Sequence, residues 1–254
     1  MRKLTFGMNL SLDGYIAAPG DDLGWSVPSD ELFQWWSDRV GATGLALYGR
    51  RLWETMSSHW PTADEQPGAT PAEIEFASRW RDMPKVVFSS TTSTVDWNTR
   101  LVTGDAVTEI TRLKADDGGP MDIGGATLAA AAMRAGLIDE YAIVTHPVLV
   151  GGGTPFFTAL DNWVNLSLLE TRTFPDGVVL TRYETGSPGS STSTLSQRPQ
   201  SRPAYKPPAS ISRPEHGPRG FMTHLAMQEA DDQGNLVGWG EHVTDQEHGA
   251  APSA

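Results

Sequence analysis

Apolar positions in this chain recur with two periods, and the switches between them lay out its elements. Lys3 to Leu10 alternates as a half-buried strand does, and Ser11-Leu12-Asp13-Gly14 turns the chain into Tyr15-Ile16-Ala17-Ala18. After a Pro-Gly-Asp-Asp loop, Leu32, Trp35, Trp36 and Val40 follow helical spacing, with Ser29 as N-cap and Asp30 and Glu31 in the first turn. Gly44 to Tyr48 reads as a buried strand, and Gly49-Arg50-Arg51 leads into a helix carrying Leu52, Trp53 and Met56. Thr70-Pro71-Ala72-Glu73 is a capping box with proline at the first helical position and predicts a helix over 72–81. Lys85 to Phe88 and Leu101 to Thr103 read as short strands, and Asp105 caps a helix through Val107, Ile110 and Leu113.

Residues 119–157 form the stretch around which the rest is arranged. Pro120 to Ile123 reads as a strand ending on Gly124-Gly125, Thr127 opens an alanine- and leucine-rich helix, and Gly136 closes it. Tyr141 to Val150 is rich in β-branched and aromatic residues, predicts another strand, and ends in Gly151-Gly152-Gly153. Leu166 to Phe174 and Val178 to Tyr183 flank Pro175-Asp176-Gly177, a β-hairpin signature. Strands alternating with helices and closed by a hairpin predict an α/β fold: a mostly parallel twisted sheet with helices on both faces and a C-terminal antiparallel hairpin.

Composition divides the chain. Residues 1–185 carry the patterned domain, whereas 186–219 are dominated by Ser, Pro and Gly and cannot bury enough apolar surface to offset their ordering entropy. A disordered linker is expected there, followed at 220–254 by a short tail segment with a hairpin pattern at 221–226 and 236–243. The formal net charge of −12 argues against nucleic acid as the main partner, since phosphate-backbone binding needs a basic face. The absence of cysteine excludes disulfides and thiolate metal sites. Four of the six histidines, His216, His224, His242 and His248, fall in the tail without metal-ligand spacing, so no metal is expected. The N-terminus lacks a secretory h-region and no apolar run is long enough to span a bilayer, so the expectation is a cytoplasmic protein without a membrane partner.

Three strand ends concentrate glycine, arginine and hydroxyl groups: Tyr48-Gly49-Arg50-Arg51, Ser89-Ser90-Thr91 and Ile123-Gly124-Gly125-Ala126-Thr127. Ligands of open α/β sheets bind outside the carboxyl ends of the strands, so the three can converge on one molecule. Glycines before helix N-termini let backbone N–H groups approach a phosphate, and arginines supply cationic donors. A pyrophosphate-bridged nucleotide with an extra phosphate would use all three, whereas solvated arginines and ordinary strand-end serines are the plainer reading of any one of them.

These residues also carry a resemblance. Ser11-Leu12-Asp13-Gly14-Tyr15-Ile16-Ala17, Gly49-Arg50-Arg51-Leu52-Trp53-Glu54 and Asp122-Ile123-Gly124-Gly125-Ala126 occur in the order of recurrent motifs in the dihydrofolate reductase-like family. Asp139-Glu140-Tyr141, His146-Pro147 and Gly151-Gly152-Gly153-Thr154-Pro155-Phe156-Phe157 match its closing segment. Over residues 1–185 the chain resembles most the branch of riboflavin-biosynthesis pyrimidine reductases, with their C-terminal reductase domain, and their stand-alone bacterial relatives. Leu52 departs from it, standing where a threonine is common.

The resemblance implies a dihydrofolate reductase-like fold and an NADPH-dependent oxidoreductase of the dihydrofolate reductase or 5-amino-6-(5-phosphoribosylamino)uracil reductase type. Hydride would pass to a small heterocycle, a pterin or a deaminated ribosylamino-pyrimidine. The alternative is a non-catalytic nucleotide-binding protein that keeps the fold. On this resemblance, Ile16 and Ala17 flank the nicotinamide, Gly49, Arg50 and Arg51 hold phosphates, and Ser89 and Ser90 lie near the adenosine 2′-phosphate. Gly124, Gly125, Ala126, Thr127 and Leu128 cradle the pyrophosphate. Asp30 falls where the reductases carry their active-site acid, and Thr145 where a threonine supports that acid. Two readings of Asp30 stay open, substrate-binding acid and first-turn helix acid. Asp13 is an alternative acid, with a turn before Gly14 as its simpler explanation. A homodimer is also expected from the family.

Overall fold

The computed structural model describes residues 1–186; the expectations for the linker and tail lie outside the described residues. The chain runs β1 (Leu4–Ser11), β2 (Tyr15–Ala17), α1 (Asp30–Ala42), β3 (Leu45–Gly49), α2 (Arg50–His59), a 3-10 turn (Trp60–Glu65), α3 (Pro71–Asp82), β4 (Lys85–Phe88) and β5 (Thr99–Val102). It continues through α4 (Ala106–Ala115), β6 (Met121–Gly124), α5 (Ala126–Arg134), β7 (Glu140–His146), β8 (Thr154–Pro155), β9 (Leu166–Thr173) and β10 (Val179–Thr185). Eight strands form one sheet in the order β5-β4-β3-β6-β1-β7-β10-β9. The first six in that order run parallel, while β10 is antiparallel to β7 and β9 antiparallel to β10, as the hairpin signature requires. β2 and β8 pair with each other outside this sheet. Among the described residues no helix is long and apolar enough to cross a membrane.

Period-two alternation divides the sheet's side chains between two helix layers. Leu4, Phe6, Leu45, Leu47, Val86, Phe88, Met121, Ile123 and Tyr141 join Ile110 and Leu113 of α4 and Leu128, Ala129, Ala132 and Met133 of α5 in one core. The intervening positions face the other way: Ala46, Tyr48 and Val87 pack on Trp53 of α2 and Phe76 and Trp80 of α3. Ala142, Val144 and Leu180 pack on Leu32 of α1. Burying each large apolar side chain contributes roughly 1.5–3 kcal/mol before entropy is counted. Strands buried on both faces explain why β3 and β4 read as continuous apolar runs.

Local signals set most helix ends. The Thr70–Glu73 capping box forms in both directions, and the Asp105 carboxylate accepts the Thr108 N–H at 2.8 Å. Gly136, at φ 64°, closes α5 as a Schellman motif, with Leu137 N–H on the Ala132 carbonyl and Gly136 N–H on that of Met133. At the far end of α3 the Lys85 ammonium, buried, donates to the carbonyls of Trp80 (2.5 Å) and Met83 (2.6 Å), and burial pushes its pKa down to about 8.

Three expectations shift. β7 stops at His146 instead of Val150, because Pro147 has no N–H to extend the ladder. The following residues are instead tied to the β1 turn: the Asp13 carboxylate accepts the N–H groups of Val150 (3.2 Å) and Gly151 (2.7 Å). Asp13 therefore braces that turn against the glycine run. Ser29 occupies the N-cap of α1, but its side chain makes no capping bond. β5 starts two residues before the expected Leu101, at Thr99, paired with Lys85.

Candidate functional site

Register brings the three strand ends to one edge. Gly49 pairs level with Phe88, and Tyr48 with Gly124, so β4, β3 and β6 end side by side at their carboxyl termini. Gly49 and Gly125 are the N-caps of α2 and α5. Gly125 has φ 95°, and a Cβ added there would lie 3.3 Å from the Gly49 nitrogen and 3.4 Å from its Cα. Leu128 packs behind the pair, 3.6 Å from a Cβ placed on Gly49. Two helix N-termini thus meet through glycine backbone, each with first-turn N–H groups that no intrahelical carbonyl satisfies.

The charged groups at this edge are loosely engaged. Arg50 stands 3.7 Å from Glu54 and Arg51 3.6 Å from Asp21, all four side chains being well exposed; such pairs are worth about 0–1 kcal/mol. α2 has no acid in its first turn, and its first two residues are arginines. Cations there oppose the helix dipole, so this placement costs stability unless an anion sits between them. Ser89 Oγ accepts the N–H groups of Thr91 (3.2 Å) and Thr92 (3.0 Å), while Ser90 is exposed beside it. Ala126 is half-buried and Thr127 exposed, both in the first turn of α5.

Beside this cradle, a cleft of about 310 Å³ runs between α1 and the sheet. Ile16 of β2 lines it, with Ala17 buried next in the strand. Phe33 and Trp36 of α1, Leu52 and Met56 of α2, and Trp60 supply much of its wall. Its polar groups include Asn9, Ser26, Thr43, Tyr48, Arg39 and Asp122. The Trp36 indole N–H donates to Asn9 Oδ1 at 3.1 Å. Arg39 donates to the Asp122 carboxylate, and Thr43 Oγ1 donates to its other oxygen at 2.6 Å. Burial pushes the Tyr48 phenol well above its ordinary range, so it stays protonated.

Gly49, Arg50, Arg51, Ser89, Ser90 and Gly124 to Leu128 therefore come together at one edge, with Ile16 in the cleft beside it. Asp30 and Thr145 do not. Asp30 is exposed and lies outside the cleft lining. Thr145 alternates with Val144 and His146, and Val144 packs on the α1 side, so Thr145 belongs to the opposite face. Its neighbour His146 is the buried group on the α1 side, its ring edge-on to Trp25 at 5.6 Å. Its Nε2 has no partner among the described residues, and burial holds its pKa below the ordinary value against the pull of Asp176.

Asn9, Arg39, Thr43 and Trp60 carried no functional expectation, and Asp122 appeared only inside a motif. One signal was available: Leu32, Trp36 and Arg39 share a helix face at spacings of four and three, which puts a charge on an otherwise apolar stripe.

The chain matches the RibD C-terminal domain family over residues 2–180. Among curated proteins, it is similar to the uncharacterized proteins YyaP and YwjB of Bacillus subtilis (strain 168). YyaP is 28% identical over 72% of this chain and 94% of its own length; YwjB is 29% identical over 70% and 96%. Among solved structures, a protein provisionally assigned to riboflavin biosynthesis in Shewanella sp. PV-4 superposes with a TM-score of 0.58 at 25% identity, covering 74% of this chain and all of its own. The fold is shared with Enterococcus faecalis dihydrofolate reductase, solved with NADP(H) and RAB-propyl, at a TM-score of 0.50 and 17% identity, over 73% of this chain and 97% of that one. Together with the eight-stranded sheet and its two helix layers, these matches settle the architecture as dihydrofolate reductase-like. The chain belongs to the RibD C-terminal domain family, whose fold is that of reductases.

Proposed function

We propose that this protein is an NADPH-dependent oxidoreductase acting on a small ring-shaped substrate in the cleft beside α1. The observation that carries the reading is the meeting of two glycine-capped helix N-termini, with Arg50 and Arg51 on one first turn and no acid there. A pyrophosphate would supply the anion that this placement lacks. Gly49, Arg50, Arg51 and Gly124 to Leu128 would hold it, Ser89 and Ser90 would sit by an adenosine 2′-phosphate, and Ile16 and Ala17 would wall the nicotinamide. When bound, NADPH supplies a hydride that, with one proton from water, reduces a C=O, C=N or C=C bond by two electrons and leaves NADP+. The chain's own part is to hold the two molecules together in reacting order, with aromatic groups walling the ring.

Titration with NADPH, followed by tryptophan fluorescence, should give micromolar binding. Arg50→Ala should weaken NADPH and NADH alike by about tenfold, the worth of one charge-assisted bond to the pyrophosphate. Weakening confined to NADPH would put Arg50 on the 2′-phosphate instead, and no micromolar binding of NADPH removes the reading. A second reading, nucleotide binding without chemistry, draws on the exposed position of Asp30 outside the cleft. Oxidation of bound NADPH by any ring substrate excludes it.

The expected homodimer is part of the same proposal. Edge strand β9 and the loop before it leave large apolar groups exposed, Trp163 at 90%, Leu168 at 58% and Phe157 at 48%. Aromatic side chains bury about 150–250 Å² each, and a stable interface takes roughly 800 Å² per partner, so a second copy set against this strip comes within reach of that area. Light scattering should give twice the 27.5 kDa chain mass, and Leu168→Glu should return monomer; a monomeric unaltered protein overturns the dimer.

A further inference from the structure

The cleft's polar groups limit what can fill it, and this argument rests on the reading of the cleft as a substrate site. Of the described residues lining it, the charged ones are Arg39 and Asp122, and these are paired with each other. Their side chains are 17% and 26% exposed, and Thr43 takes the second carboxylate oxygen. The pair presents no net charge. A phosphate or carboxylate entering here would leave water without gaining a free cation, and burying an uncompensated charge is among the costliest changes a site can impose. Arg50 and Arg51 lie outside the lining, at the cofactor edge.

One donor is nevertheless held ready. The Trp36 indole N–H can only donate, so its partner on Asn9 must be the amide oxygen. That bond fixes the amide and turns its NH2 end away from Trp36. The NH2 has no hydrogen-bond partner among the described residues, yet it is not among their fully buried unsatisfied atoms, and Asn9 lines the cleft. Around it stand flat or flexible apolar groups, Trp36, Phe33, Trp60, Leu52 and Met56. Such walls favour a planar ring held by stacking, and the oriented amide favours an acceptor on that ring.

We propose that the cleft selects an uncharged planar ring bearing a carbonyl-type acceptor, held by Asn9 Nδ2 and stacked against the α1 aromatics, and that the Arg39–Asp122 pair excludes anionic, phosphate-bearing analogues. Asn9 and the ion pair are thus specificity determinants for whatever the enzyme reduces.

The test needs neither NADPH nor turnover. Full-length protein is titrated with 1,4-naphthoquinone and with 1,4-naphthoquinone-2-sulfonate, which share a ring and differ by a fixed negative charge; quenching of the cleft tryptophans reports binding. The neutral quinone should saturate, and the sulfonate should bind at least about tenfold more weakly, a difference of 1.4 kcal/mol. Asp122→Asn releases Arg39 from its counter-ion and should bring the two affinities together, while Asn9→Leu should weaken the neutral quinone. Equal or tighter binding of the sulfonate by unaltered protein overturns the proposal, as does saturation by neither. That comparison needs no variant, so a misfolded variant cannot shield the idea. A separate NADPH titration of the same protein keeps the outcomes distinct: NADPH binding with sulfonate preferred sinks only the substrate class, and quinone selectivity without NADPH binding sinks the cofactor reading.

Discussion

Replacing Gly153 with alanine is expected to destabilise the domain by roughly 3–5 kcal/mol, the sum of a left-handed backbone cost and a steric one. Gly153 has φ 119°, and a Cβ built there would lie 2.0 Å from the Ala17 carbonyl oxygen and 2.8 Å from the Ala18 carbonyl carbon. Both neighbours are backbone, so no side chain can rotate aside. β8 would have to part from β2, which carries Ile16 against the cleft. For a domain of this size the loss corresponds to a fall in Tm of roughly 10 °C, and NADPH affinity should fall with it. Gly136→Ala is the matched control: its φ of 64° is also left-handed, but nothing lies within 4 Å of the added Cβ, so only about 1–2 kcal/mol is expected. If thermal denaturation finds the two variants equally stable, the close approach of β8 to β2 does not hold in solution.

The second large effect is expected at Gly125, and there binding should suffer more than stability. Its added Cβ would press on the nitrogen and Cα of Gly49 at 3.3 and 3.4 Å, a clash that a few tenths of an ångström of movement relieves. Gly125→Ala should therefore cost about 2–3 kcal/mol of stability. The movement that relieves it separates the N-termini of α2 and α5, and a site whose donors must be placed to within about 0.5 Å tolerates little of that. NADPH affinity should fall at least about a hundredfold, equivalent to 2.7 kcal/mol, as read by fluorescence titration at a temperature where circular dichroism shows the variant folded. A folded Gly125→Ala protein that binds NADPH normally would mean that the cradle between α2 and α5 does not hold the cofactor. Gly136→Ala, just past the other end of the same helix, should bind as the unaltered protein does.

The cleft adds a contrast between two kinds of residue. Arg50 and Arg51 stand out by their company, two cations after a glycine at a strand end, because the residues that anion recognition would use fall in one short segment. Asn9, Arg39 and Asp122 sit singly in three elements, and their partners lie 27 and 83 positions away. No short window holds that information. Asp30 and Thr145 show the opposite case, in which motif position pointed to a pair that the fold separates. A strand residue changes face with every step along the chain, so a resemblance that is right about the strand can still assign the wrong neighbour.

What the sequence determined by itself is everything written in local chemistry. The capping box at Thr70, the Asp105 cap, the glycine that closes α5 and the Pro-Asp-Gly hairpin each satisfy backbone groups within a few residues, and the glycines at 49 and 125 mark strand-to-helix turns, so spacing alone exposes them. Tertiary structure decided what depends on register and on contacts between distant segments. It levelled β4, β3 and β6 so that two helix N-termini meet, set Gly153 against Ala17, and tied Asp13 to the glycine run. It also neutralised Arg39 with Asp122 inside an apolar cleft. The reason is the range of the forces involved: hydrogen bonds at caps and turns act between neighbours in sequence, whereas burial is satisfied by whichever distant surface the sheet order brings into contact.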